Sequence, residues 1–330
     1  MCAIFANMRN SDKYHWMKDI SIGVIRQSLL SLNNAFQKFF SKITRYPVYK
    51  TKKRSKKSFT TRSERTRVKG NCISISGLND MLVNAKNHPI PEGVRLYNTT
   101  ITFDGYDYWF SCQIEKPKID MSDIPKSEPV GIDVGIRNMI TTSDGEYYHF
   151  SDTSKYEKRL KRQQRRLSKD YNLYFKESIR TKTKYEDVPK SKNHFKRLAK
   201  QHKSYAKITN KRNNDLNTAT KRIVDKNPEA IVIENISVKD IIHNEPWMKK
   251  YAPQMVFYEI HRQLKYKAAD RNIPVIIADR DYPSSKRCSA CGFVNNNFSK
   301  QHVFICPICG FRADRDYNAA INLKQLAYQL

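Results

Sequence analysis

The chain has 330 residues and carries 61 Lys and Arg against 32 Asp and Glu, a net charge of +29. The length implies two or three domains, and the charge opposes self-association and favours a polyanionic partner, nucleic acid rather than a membrane, since no apolar run approaches the ~18–20 residues of a spanning helix. The N-terminal stretch lacks an apolar signal core, and the seven cysteines divide into a cluster of four and the scattered Cys2, Cys72 and Cys112, so a secreted disulfide framework is excluded and the chain reads as cytoplasmic.

Residues 19–45 predict an amphipathic helix, with Ile25, Leu29, Leu32, Phe36, Phe39 and Ile43 at spacings of three and four, ended by Tyr46-Pro47. Lys50 to Arg67 is basic, with Lys52, Lys53 and Arg54 at its centre, and reads either as a solvated loop or as a segment contacting a phosphate backbone. Residues 68–116 predict strands, with a hairpin turning at Asp104-Gly105. Its second strand is the aromatic run Tyr106-Asp-Tyr-Trp-Phe110, whose rings suit either sheet packing or base stacking. The proline-flanked stretch 117–129 predicts a linker. A three-strand meander follows at 130–135, 137–142 and 147–150.

Residues 154–224 read as two long basic helices with a polar break near Thr181–Lys192. The first carries Arg159, Arg162, Arg165 and Arg166 and, over that stretch, only Leu160 and Leu167 as aliphatics. It is too polar for a core helix, and an exposed helical hairpin lying along nucleic acid is expected. A buried strand at 230–234, a helix near 253–271, a strand at 273–278, the cysteine cluster and a helix starting near Asp316 complete the chain. Strand, strand, strand, helices, strand, helix, strand and helix is the order of a ribonuclease H-like α/β fold.

Three acids stand out from this frame. Asp133 lies in Pro129-Val-Gly-Ile-Asp-Val-Gly-Ile136, Glu234 ends Ala230-Ile-Val-Ile-Glu234, and Asp316 lies in Ala313-Asp-Arg-Asp-Tyr-Asn-Ala-Ala320. A carboxylate in an apolar strand is costly to bury unless a cation or donor balances it. Adjacent parallel strands would bring Asp133 and Glu234 to one sheet edge, and the last helix would add Asp316. Three converging carboxylates suit Mg²⁺ or Mn²⁺ and phosphodiester hydrolysis. Asp314 competes with Asp316 for the third place, and Gly131 and Gly135 would let a scissile backbone approach Asp133 closely.

Cys288-x-x-Cys291 and Cys306-x-x-Cys309 are separated by 14 residues, and Gly292 and Gly310 follow the second cysteine of each pair. This is the pattern of a zinc ribbon, in which four thiolates close a structural tetrahedral Zn²⁺ site.

Together, Gly131-Ile-Asp-Val-Gly135, Ile231-Val-Ile-Glu-Asn235, Leu264-Lys-Tyr-Lys-Ala268, Pro283-Ser-Ser-Lys-Arg-Cys-Ser-Ala-Cys-Gly292, Cys306-Pro-Ile-Cys-Gly310 and Asp314-Arg-Asp-Tyr-Asn-Ala-Ala320 resemble the TnpB family, RNA-guided nucleases of insertion-sequence transposons related to type V CRISPR effectors. The resemblance spans roughly residues 15 to 325. It implies an α/β split RuvC nuclease domain over 119–284 and 313–330, with Asp133, Glu234 and Asp316 as its metal-binding catalytic triad, and a zinc ribbon over 285–312. It further implies a β-rich wedge domain over 46–118, a helical recognition segment over 1–45, a guide RNA from the transposon end and a DNA target. Family members usually extend further at the N-terminus, so the chain is expected to begin inside the recognition helices. A binding protein without turnover and a DNA-moving transposase are the rival expectations.

Overall fold

The computed structural model describes residues 7–8, 10–51, 55–61, 66–69, 72–75, 81–82, 94, 96–105, 107–115, 124–249, 256–298 and 301–329. Lys52, Lys53, Arg54 and most of the expected linker lie outside these residues. The chain divides into two compact units, one of residues 1–117 with 191–203, the other of 118–190 with 204–330. No helix among the described residues is long and apolar enough to cross a membrane.

In the first unit a 3₁₀ turn at Asp12–Asp19 leads into helix α1, Ile22–Phe40. Strands β1 (Lys57–Thr61), β2 (Thr66–Lys69), β3 (Cys72–Ile75), β4 (Met81–Leu82), β5 (Leu96–Phe103) and β6 (Tyr108–Ile114) follow. They form two antiparallel sheets, ordered β1-β5-β6 and β2-β3-β4. The expected hairpin is present: β5 and β6 pair antiparallel, and Gly105 takes a φ of +100° that side chains rarely adopt. Asp104 holds the turn by accepting from the Asp107 N–H at 2.8 Å and the Trp109 indole N–H at 2.6 Å. Tyr108 and Trp109 remain exposed on the strand.

The second unit is built on a five-stranded sheet. Its strands are β7 (Val130–Asp133), β8 (Ile140–Thr142), β9 (Tyr147–Tyr148), β10 (Ile231–Ile233) and β11 (Val275–Ile277), in the order β11-β10-β7-β8-β9. The meander β7-β8-β9 is antiparallel, while β10 lies parallel to both β7 and β11. Helices α2 (Ser154–Arg180) and α3 (Lys192–Asp225) lie between β9 and β10, and α4 (Val238–Asn244) and α5 (Phe257–Ala269) between β10 and β11. The hairpin β12 (Val303–Ile305) and β13 (Arg312–Asp314) precedes α6, Arg315–Leu326. The sheet and helices make this an α/β fold.

Successive side chains on a strand point to opposite faces, and that alternation sets the packing. On one face Val130, Ile132, Ile140, Ile231 and Ile233 are buried with Phe257, Ile260, Leu264 and Ala268 of α5 and with Leu216, Ala219, Ile223 and Val224 of α3. On the other, Val232 packs with Leu323 of α6. Gly131 is on that second face. A Cβ there would run into the main-chain oxygen of Ala320 and the main-chain nitrogen of Lys324. The residue thus gives room to α6, not to a scissile backbone as its sequence context suggested.

The basic helices also depart from expectation. Arg159, Arg162, Arg165 and Arg166 are exposed on α2, but the last third of α3 is core. Leu216, Ala219, Ile223 and Val224 form a helical stripe that a polar average over the whole helix conceals.

Gly131→Ala is expected to destabilise the protein by about 2 kcal/mol or more, since rigid backbone rather than a flexible side chain must yield. Urea denaturation would check it, and an unchanged midpoint would mean α6 does not sit this tightly on β7.

Candidate active site

The same alternation that turns Gly131 toward α6 turns Asp133 toward it, two residues further along β7. The parallel register sets Ile233 beside Ile132, so Glu234 follows β10 next to Asp133 and on the same face as Val232. Asp316 comes down on the pair from the first turn of α6. Asp133 and Asp316 are 7% exposed and Glu234 is half-buried. The structure thus brings together all three acids singled out in the sequence.

Their charges interact strongly. Burial, with the charges of Glu234 and Asp316 beside it, holds the Asp133 carboxyl well above the usual carboxylate range. Burial also pushes Glu234 up to about 7, against the opposing pull of the Val134 N–H, which donates at 3.0 Å, and a hydrogen bond with Asp133. Both carboxyls are thus raised toward the protonated form, the expected response of like charges crowded at low dielectric.

Asp314 and Asp316 occupy different roles. Asp314 is the N-cap of α6: its Oδ1 accepts from the N–H groups of Asp316 at 3.0 Å and Tyr317 at 3.3 Å, a standard use of aspartate at a helix start. Its Oδ2 pairs with Arg137 at 2.8 Å. Asp316 Oδ1 instead accepts from Arg315 Nη2 at 2.8 Å and Nε at 3.1 Å, and its Oδ2 lies 3.4 Å from the Asn138 amide. Sequence reasoning missed Arg137, Asn138 and Arg315. The tripeptide Asp314-Arg-Asp316 was the available signal for the last of these.

The four cysteines also converge. Their Sγ atoms all lie within 4.8 Å of one another and could hold a metal ion. Cys288 to Cys309 and Cys291 to Cys306 are each 3.6 Å apart, close to the edge of about 3.8 Å that a tetrahedron with ordinary zinc–sulfur bonds requires. The two knuckles repeat one geometry. Gly292 N–H donates to the Cys288 carbonyl and Gly310 N–H to that of Cys306, while the Cys288 and Cys306 N–H groups donate to the carbonyls of Phe293 and Phe311. Gly292 and Gly310 adopt φ of +77° and +72°, as their place after each pair led one to expect.

Two buried asparagines of α6 tie this module to the acid site. Asn318 donates to the Arg287 carbonyl at 2.7 Å and accepts from the Ser289 N–H at 3.0 Å. Asn322 donates to the carbonyls of Ser284 and Arg287 at 2.8 and 2.6 Å. They sit two and six residues beyond Asp316, so the helix that carries the third acid also carries the docking surface for the cysteines. Asn318→Ala would orphan the Ser289 N–H and is expected to cost about 1–3 kcal/mol. Amide exchange at 288–292 should quicken; unchanged protection would mean that the asparagine does not hold the module.

Comparison with known proteins follows the same division. The OrfB_IS605 family model, described as "Probable transposase", matches residues 111–245, which include Asp133 and Glu234. The model described as "Cas12f1-like, TNB domain" matches 257–323, which include the four cysteines and Asp316. A Streptomyces pristinaespiralis protein named "Putative RNA-guided DNA endonuclease" is 28% identical over 97% of this chain and 75% of its own. The Escherichia coli K12 protein "Putative RNA-guided DNA endonuclease InsQ" is 26% identical over 98% of this chain and 79% of its own. The cryo-EM structure of a Cas12f1-sgRNA-target DNA complex contains a chain of the same fold, with a TM-score of 0.54 at 14% identity over 98% of this chain and 75% of that one. Asp133 and Glu234 thus fall in one matched segment and Asp316 with the four cysteines in the other, and across the two the chain is similar to OrfB_IS605 and Cas12f1-like proteins.

Proposed function

We propose that this chain is an RNA-guided, divalent-metal-dependent DNA endonuclease of RuvC type. The observation that carries the proposal is the convergence of Asp133, Glu234 and Asp316 on the α6 face of the sheet, where burial and the neighbouring negative charges raise the Asp133 and Glu234 carboxyls. The sheet order, an antiparallel meander followed by two parallel strands on the side of β7, supports a ribonuclease H-like reading of the second unit. The names of the relatives support an RNA guide and a DNA target.

In this reading Asp133, Glu234 and Asp316 hold Mg²⁺ or Mn²⁺. Bound there, such ions would supply the Lewis acidity for an in-line phosphodiester hydrolysis that leaves 5′-phosphate and 3′-hydroxyl ends. The protein's own residues fix the acids. The Val134 N–H orients Glu234, Asn138 and Arg315 orient Asp316, and the Asp314 cap holds the first turn of α6 in place. Cys288, Cys291, Cys306 and Cys309 hold a structural Zn²⁺ as a zinc ribbon that braces α6, and their sulfur spacing fits that ion. Residues 46–118 act as a wedge and 1–45 as a recognition segment for the guide. Arg159, Arg162, Arg165 and Arg166, exposed along α2, contact the nucleic-acid backbone, as do Lys52, Lys53 and Arg54. Phosphate contacts of this kind position the substrate while base pairing with the guide reads the sequence.

Co-expression with the native genomic flanks, sequencing of the bound RNA and cleavage of a matching target test the proposal. Asp133→Ala and Asp316→Asn should each abolish cutting while RNA and DNA binding persist, and Asp314→Ala should lower stability by about 1 kcal/mol through loss of a cap yet leave cutting measurable. A bound RNA without metal-dependent cutting would reduce the protein to a binding module, and joining of transposon ends would make it a transposase.

The raised Glu234 carboxyl gives a second test. Glu234, at about 7 in the folded chain against an ordinary 4.5, contributes stability to the metal-free protein below its ordinary value. That contribution is lost as pH rises through about 7. A divalent ion replaces the proton. Mg²⁺ should therefore raise the melting temperature more at pH 8 than at pH 6, and its affinity should increase over that interval. An increment independent of pH would place the ion elsewhere.

A further inference from the structure

Arg315 has no role in the reading above beyond orienting its neighbour, yet its position is unusual. It occupies the first turn of α6, where the helix dipole disfavours a cation. Its main chain is pinned by a hydrogen bond from its N–H to the His302 carbonyl at 2.9 Å. Its side chain lies on the acid cluster, with Nη2 and Nε 2.8 and 3.1 Å from Asp316 Oδ1, and its charge also acts on Asp133 and Glu234. The acids, not the helix, dictate where the guanidinium sits. It remains 35% exposed while the Asp316 side chain is 9% exposed. The group therefore links a buried carboxylate to solvent.

An ion bound through Asp316 Oδ1 would displace Arg315 from that oxygen. We propose that Arg315 is the resident counter-ion of the acid cluster: it holds Asp316 while no divalent ion is bound, competes with that ion for the carboxylate, and on release presents its guanidinium fork to the scissile phosphate. A planar fork with paired donors matches phosphate oxygens in a way that a lysine ammonium does not. The proposal rests on the metal-dependent nuclease reading. It adds a residue with two opposed effects, one on cation binding and one on turnover.

The test compares the wild-type chain with Arg315→Gln, Arg315→Lys and Asp316→Asn. Mn²⁺ alone is titrated by electron paramagnetic resonance in the absence of DNA, and single-turnover cleavage of a guide-matched target is measured at saturating Mn²⁺. Arg315→Gln should bind Mn²⁺ about tenfold more tightly, a small part of what an unscreened charge at this range exerts, yet cleave ~100-fold more slowly for want of a donor at the phosphate. Arg315→Lys, which keeps the charge and loses the fork, should bind Mn²⁺ as the wild type does and cleave at least about tenfold more slowly. A Mn²⁺ affinity that is equal or weaker in Arg315→Gln overturns the counter-ion role, and wild-type cleavage by either variant overturns the phosphate role. If Arg315→Gln fails to fold, the cleavage rate of Arg315→Lys decides. Should Asp316→Asn bind Mn²⁺ as well as the wild type, the metal-site reading itself fails, whatever the Arg315 variants do.

Discussion

The close seating of α6 on β7 is the contact on which the rest of the second unit depends. Gly131 has no side chain, so the helix backbone can lie directly against the strand at Ala320 and Lys324. That approach brings Asp316 down to Asp133 and Glu234, and it sets Asn318 and Asn322 against the main chain that leads into the first cysteine knuckle. One missing methyl group thus connects the sheet, the acids and the cysteine module. Leu323, on the same helix, buries against Val232, so the apolar contact and the polar site share one element.

Crowding the acids has an electrostatic cost, and the structure answers it in three ways. The Asp133 and Glu234 carboxyls are raised toward the protonated form and share a hydrogen bond. Main-chain and amide N–H groups from Val134 and Asn138 reach the carboxylates. The Arg315 guanidinium supplies the positive charge. Each is weaker than a divalent ion at the same place, and a site stabilised by replaceable partners suits reversible cation binding. The cysteine cluster has the contrary character. Its four sulfurs meet with no ligand position left over, which suits a fixed structural ion and gives α6 a second anchor.

Much of this was legible in the residues. The acids could be found because a carboxylate at the end of an apolar run breaks the pattern of its strand, as Asp133 does after Val130-Gly-Ile132 and Glu234 after Ile231-Val-Ile233. The cysteine pairs could be found because the chemistry of a knuckle is local: two thiolates, two intervening residues and a glycine at positive φ. The core role of Leu216, Ala219, Ile223 and Val224 was obscured because they occupy the end of a helix whose other turns are strongly polar. Gly131 was misassigned because sequence shows that a close approach is permitted there but not what makes it. Asn138 and Arg137 carried no signal, since their partners Asp316 and Asp314 lie 178 and 177 residues away.

The sequence by itself determined the local chemistry: which strands are buried, where the hairpin turns at Asp104-Gly105, which thiols pair in knuckles and which three acids are out of keeping with their surroundings. Those properties follow from residue type and short spacing, because turn preferences, pleat alternation and helical periodicity act over a few residues. Only the tertiary structure decided that Asp314 caps while Asp316 faces the other acids, that the end of α3 is core, and that Arg315 lies on the acid cluster. These depend on register between β7 and β10 and on how deeply α6 descends onto the sheet. Both are set by packing across long stretches of chain, where neighbouring residues in the sequence give no measure of distance.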